Sequence, residues 1–109
     1  MIVHPRRIGR FHHFRRRVRE RIGGHVDADA LWKILIEQIV AAEGSPPSPY
    51  LKFICRINRD GMRLWRFEIG GVKYFALFDH NMRCPVTVFA AKGTVSRIGK
   101  PPLKLEIYA

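Results

Sequence analysis

The sequence predicts an α+β fold: two N-terminal helices packed on one face of a four- to five-stranded, mainly antiparallel sheet. Three observations predict it. Apolar residues recur at helical spacing over residues 10–43. The run Gly44-Ser45-Pro46-Pro47-Ser48-Pro49 then breaks the chain. Beyond it, residues 51–109 divide into strand-length apolar or alternating bursts separated by turn residues. Helices first and strands afterwards is the order of an α+β architecture. With 109 residues, 47% of them apolar, the chain fits one domain with a core that needs no staples.

Residues 1–10 form a basic lead-in, where Pro5 and Gly9 discourage a helix. A first helix is expected over residues 10–22. Phe11, Phe14, Val18 and Ile22 fall on one narrow stripe there, and Gly23-Gly24 stops it. Asp27 caps a second helix that runs to about residue 43, with Asp29 in its first turn suiting the dipole. Leu31, Trp32, Leu35, Ile36, Ile39 and Ala42 give that helix a broad apolar face. A Pro-rich loop covers residues 44–50.

In the strand region, Leu51, Phe53, Cys55 and Ile57 alternate onto one side. Arg59-Asp60-Gly61 reads as a turn, residues 62–69 return, and Gly70-Gly71 is a hairpin signal. Residues 72–78 are almost continuously apolar and aromatic. A polar loop at 79–83 leads to a strand at 85–90, and residues 103–108 offer a last strand. Whether the tail from residue 93 joins the sheet or drapes over the surface stays open.

Charge is the strongest functional signal. Twenty Lys and Arg face nine Asp and Glu, giving a formal +11. A field of that sign gathers polyanions, with nucleic acid the first candidate and an acidic protein answering to the same field. RNA is the expected partner, and DNA stays open. Two cysteines make neither a disulfide framework nor a zinc quartet, so Cys55 is expected as a reduced core residue. His4, His12, His25, Cys55 and Cys84 have no metal-ligand spacing, so neither a metal nor any other cofactor is expected. The basic N-terminus runs into more arginine rather than an apolar stretch, and no apolar run reaches membrane length. The expectation is a cytoplasmic protein, or one of the host cytoplasm if phage-encoded, without a membrane partner.

The chemistry concentrates between His12 and Arg21. At about 100° per residue the apolar stripe is flanked by two basic rows. One row holds His13, Arg17 and Arg21, with Arg10 close by; the other holds His12, Arg15 and Arg19, with Arg16 also in the cluster. Guanidinium groups offer planar donation to phosphate oxygens, and an imidazole beside them can move a proton. Eight arginines lie between Arg6 and Arg21 with Glu20 as the one acid, so a wholly self-paired face is not expected. His80, in Asp79-His80-Asn81, is a candidate second proton shuttle, although a polar turn with Asp and Asn explains itself without catalysis and is the preferred reading. Trp65, Phe67, Tyr74, Phe75 and Phe78 read first as sheet core and second as base-stacking platforms. Tyr50 and Tyr108, near chain breaks, are freer to stack.

The pattern His13-x-x-x-Arg17-x-Arg19-Glu20-Arg21, followed by an Asp-capped apolar helix and then strands, resembles the RelE/barnase/EndoU/colicin ribonuclease superfamily. The likeness is nearest to its BrnT-like and phage-encoded branches, whose first helix reads like His-Ala-x-x-Arg-x-x-Glu-Arg. It covers residues 10–90 and includes the segments 64–69, 73–78 and 85–88; Phe14 stands where the family has a small residue. The resemblance implies metal-free RNA cleavage, in which the 2′-hydroxyl attacks the adjacent phosphate. Such chemistry needs a base, an acid and a cationic clamp. By position, His13 would be the base or acid, Arg17 and Arg21 the clamp, and Thr87 a polar group orienting the phosphate. Lys73, a strand cation beside Gly70-Gly71, is a further candidate, although Thr and Lys both suit plain sheet positions.

Three readings follow. The chain is a metal-free endoribonuclease of toxin or phage-effector type, a type often held neutral by an acidic antitoxin. Alternatively it is a non-catalytic module binding nucleic acid or an acidic host protein. As a third reading, it neutralises packaged nucleic acid in a virion.

Overall fold

The computed structural model describes residues 5–42, 49–58 and 61–109, with side chains from Ile8 onward in the first segment. Two helices, α1 (Pro5–Arg21) and α2 (Ala28–Ala42), precede a four-stranded antiparallel meander. Its strands are β1 (Leu51–Arg56), β2 (Met62–Ile69), β3 (Val72–Asp79) and β4 (Cys84–Ala90), in the order β1-β2-β3-β4. A separate two-stranded hairpin, β5 (Thr94–Arg97) with β6 (Lys100–Lys104), and a 3-10 turn, Leu105–Tyr108, complete the chain.

Helix α1 starts at Pro5, not at the expected residue 10. Proline in a first turn lacks an N–H that would find no helical partner anyway, so it starts this helix rather than blocking it. Phe14 and Val18 are wholly buried, with Phe11 and Ile22 packed beside them. In α2 the Asp27 Oδ1 accepts the N–H groups of Asp29 (3.0 Å) and Ala30 (3.2 Å), which is the expected cap. Leu31, Trp32, Leu35 and Ile39 form its buried face. Trp32 joins the helices, its ring edge-on to Phe11 at 5.2 Å and to Phe14 at 5.4 Å. The expected Pro-rich break at residues 44–48 lies outside the described residues.

Both helices lie on one sheet face, over Leu51, Trp65, Phe67, Ala76, Phe78 and Val88. Gly70 and Gly71, at φ +56° and +82°, make the β2–β3 turn; two successive left-handed residues give the twist a tight hairpin needs. The strand β1 departs from the expected alternation. A register shift between Phe53 and Cys55 sends Leu51 to the helix side but Cys55 and Ile57 to the other side. Phe53 stays 44% exposed, edge-on to Trp65 at 5.5 Å.

The tail, which the sequence left open, adds no strand to the main sheet over residues 93–109. They cover its second face, where Val95, Leu103 and Leu105 bury Ile57, Leu64 and Phe75. The cause is visible in β2 and β3. Both carry large apolar groups on two faces, and a sheet buried on both sides needs a second layer. Arg66 fastens the end of that layer, its Nη1 donating to the Tyr108 carbonyl at 2.7 Å.

Candidate nucleic-acid interface

Helix α1 packs along β4, an outer strand of the sheet, and this makes its two basic rows unequal. His13, Arg17, Arg21 and Arg10 lean on the protein and are half-buried, whereas His12, Arg15, Arg16 and Arg19 are exposed.

Each member of the half-buried row except His13 has a structural partner. Arg10 reaches the Asp79 carboxylate at 2.9 Å. Arg17 pairs with Glu20 one turn along at 2.8 Å. Arg21 donates through Nη1 to the Val88 carbonyl at 2.8 Å and lies 3.4 Å from the Thr87 hydroxyl. Its guanidinium also rests over the Phe89 ring, 4.8 Å from the centroid. Arg21 and Thr87 are therefore brought together, but as a clamp on the free edge of β4. Burial first, then Arg17, lowers the pKa of Arg21.

His13 is the remaining member of this row. Its pKa is lowered from the usual 6.5, by burial first and then by the cations Arg17, Arg16 and Arg21, with Glu20 opposing. The imidazole is thus neutral at neutral pH and able to accept a proton.

The exposed row is more loosely held. Arg15 Nε lies 3.6 Å from an Asp29 oxygen and its guanidinium sits 5.8 Å from the Phe11 ring centroid. An exposed pair at that distance contributes little and exchanges readily. Among the described residues no carboxylate pairs with Arg16 or Arg19. Among the described residues three ion pairs therefore engage part of the cationic ridge and leave Arg16 and Arg19 facing solvent.

Lys73 is not brought to this helix. It is exposed on β3, opposite Glu68, and its strand neighbour Phe75 faces the hairpin layer. His80 is also elsewhere: its Nε2 accepts the Trp65 indole N–H at 3.2 Å, and its ring meets Phe78 at 5.0 Å. Trp65, Phe67, Phe75 and Phe78 are buried and Tyr74 is half-buried, so they build the cores rather than a stacking surface. Tyr50 is exposed, and Tyr108 is half-buried. His4 lies outside the described residues. No three His, Cys, Asp or Glu side chains gather as a metal site would need among the described residues. No described helix is long and apolar enough to cross a membrane.

Two arginines escaped the sequence reading. Arg56 and Arg63 are register partners at the end of the β1–β2 pair. The signal was present in their equal distance along the sequence from Arg59-Asp60, three residues on either side, but the strand bulge hid which residues would face each other.

Comparisons of the chain with protein-family models, with curated proteins and with solved structures each found no match.

Proposed function

We propose that this is an RNA-binding protein whose contact surface is the exposed basic row of α1. The observation that carries the reading is the solvent-facing set Arg15, Arg16 and Arg19, two of them unpaired among the described residues, on a chain of net charge +11. Helical spacing puts these guanidinium groups about one turn or less apart, so successive phosphates can be engaged without moving the backbone. Affinity should be mostly phosphate-driven, with a steep dependence on salt. The test is fluorescence anisotropy with labelled single-stranded RNA across a salt series. Binding that ignores salt, or that survives the triple variant R15A/R16A/R19A unchanged, rejects the proposal. DNA of the same sequence, run alongside, reads the preference.

A second reading, metal-free endoribonuclease action, is favoured by one observation: His13 is a half-buried imidazole kept neutral beside Arg16 and Arg17. It agrees with the resemblance to the RelE-like ribonucleases. His13 would take the 2′-hydroxyl proton as the O2′–P bond forms. The P–O5′ bond then breaks, and the leaving oxygen collects a proton from water. Arg21 and Thr87 are engaged on β4, so the phosphate clamp reduces to Arg16 and to Arg17, which would exchange its exposed partner Glu20 for the phosphate. Incubation with mixed RNA in chelator decides: no cleavage, or equal cleavage by His13→Ala, removes this reading and leaves binding alone. An acidic antitoxin or host protein would answer to the same row, and would compete with RNA for it.

A further inference from the structure

At the end of the sheet beyond Gly61 lies an open cleft of about 910 Å³, and none of its lining residues belongs to α1. Its basic groups are Arg56, Arg63 and Lys100, and no carboxylate of the described residues lines it. Arg56 and Arg63 face each other across the β1–β2 ladder. Like charges at directly opposed positions destabilise a strand pair, so the arrangement costs the fold something. A further oddity sits at the same place. The Nε of Arg63 is buried and has no hydrogen-bond partner among the described residues. A buried donor left unmatched adds to the cost of this arrangement.

The walls of the cleft are fastened. Ile57 N–H donates to the Met62 carbonyl at 3.0 Å, and His80 N–H to the Gly61 carbonyl at 3.0 Å. Ile98 N–H donates to Asn58 Oδ1 at 3.3 Å, which ties the β5–β6 turn to the β1–β2 turn. Gly61 sits at φ +82°, and a side chain there would meet Asn81 at 2.8 Å. Asn58, Gly61 and Ile98 are thereby tied down around a cationic hollow. One wall is apolar: Met62 lines it, and Ile98 projects beside it 82% exposed.

We propose that this cleft binds a nucleotide, its phosphate held by the Arg56–Arg63 pair and Lys100, its base resting on Met62 and Ile98. Two arginines on directly paired strand positions bring to one cleft the planar, bidentate donors that suit phosphate oxygens. A phosphate would also relieve the repulsion between them. The volume exceeds what an inorganic ion needs, and an apolar ledge beside a cationic one suits a base joined to a phosphate. The proposal stands apart from RNA binding by α1, because it uses different residues. A free nucleotide and one nucleotide of a strand share this chemistry.

The test is amide-shift NMR of the full labelled chain at physiological salt. One arm titrates adenosine 5′-monophosphate, a second a short single-stranded oligoadenylate without terminal phosphate, and a third inorganic phosphate. The expected result is saturable shifts at Ile57, Gly61 and Ile98, weakened at least tenfold by Arg56→Gln and by Lys100→Gln. Both positions are exposed, so the variants should fold even if Arg63→Gln does not. Arg56→Gln should also keep or raise the thermal midpoint, since it removes a like-charge pair. Binding of the monophosphate alone assigns a free nucleotide; binding of the oligomer as well assigns a passing strand. R15A/R16A/R19A should leave the monophosphate shifts intact. Shifts confined to α1, shifts untouched by both Gln variants, or inorganic phosphate binding as tightly as the nucleotide would overturn the assignment.

Discussion

Arg10, in the first half of α1, holds Asp79 at the end of β3 with Nη2 and Oδ2 2.9 Å apart, and the Asp79 side chain is only 6% exposed. The other oxygen of the same carboxylate accepts the N–H groups of Asn81 (2.9 Å) and Met82 (3.0 Å). One carboxylate therefore shapes the β3–β4 turn and anchors the helix to it. Removing Arg10 would leave a buried charge unpaired, and breaking such pairs costs about 3 kcal/mol or more. Arg10→Ala should lower the thermal midpoint by roughly 12 °C, at about 4 °C per kcal/mol for a domain of this size. Asp79→Asn should cost less than Asp79→Ala, because an amide oxygen can still accept the two turn N–H groups. Thermal melts of the three variants check the order. Equal melting of wild type and Arg10→Ala would show the pair to be idle.

The two basic rows of α1 should respond to mutation in opposite ways. Arg21 is a structural clamp on β4, through the Val88 carbonyl and the Phe89 ring. Arg21→Ala should therefore cost about 1.5–3 kcal/mol, the range for hydrogen bonds from a charged donor. Arg16→Ala and Arg19→Ala, on exposed positions, should change stability by no more than ~0.5 kcal/mol. For RNA affinity the ranking reverses: Arg16 and Arg19 should each weaken binding and reduce the salt slope by about 1. Denaturant melts paired with anisotropy titrations test both halves. An Arg21→Ala protein of unchanged stability but lost RNA affinity would return Arg21 to the phosphate clamp.

What could be seen beforehand followed the physics that acts locally. The Phe11-Phe14-Val18-Ile22 stripe, the Asp27 cap and the Gly70-Gly71 turn are written within a few residues of where they act, and all three appear as expected. The early start of α1 was hidden because Pro5 signals a stop or a start depending on its place in the turn. The second sheet layer was hidden for a different reason. Continuous apolar character in residues 72–78 announces burial on both faces, yet the covering residues Val95, Leu103 and Leu105 lie in a segment crowded with Gly and Pro. For the candidate site, residue types were legible but partners were not. Nothing in sequence spacing separates Arg21, turned onto the edge of β4, from Arg16, turned to solvent.

The two thiols make a separate check on the layers. Cys84 is wholly buried beneath the helices, and Cys55 is half-buried on the other face. Burial raises the pKa of Cys55, and Arg97 pulls it down by less. The thiolate is the reactive form, so Cys55 should react with a disulfide reagent more slowly than glutathione at pH 8, and Cys84 more slowly still. Both should react at glutathione-like rates once the chain is denatured. Rapid labelling of Cys84 in the native protein would mean that the helix layer opens.

His13 gives the pH dependence a definite sign. Its pKa in the folded protein lies below the 6.5 expected of the unfolded chain. Between those two values the unfolded chain holds more protons, so stability increases with pH across that window. The contribution is fully present above about 6.5 and fades as pH falls through the folded value. RNA should act on the same group in the opposite direction, since a phosphate beside the imidazole favours its charged form. Acidification below neutrality should then tighten RNA binding while loosening the fold. His13→Gln isolates the effect from the other histidines: it should flatten both profiles relative to wild type. Parallel profiles for wild type and His13→Gln, in melts and in anisotropy alike, would show that phosphate does not approach this imidazole, and with that both the proton-accepting role and the half-buried row's part in binding would fall.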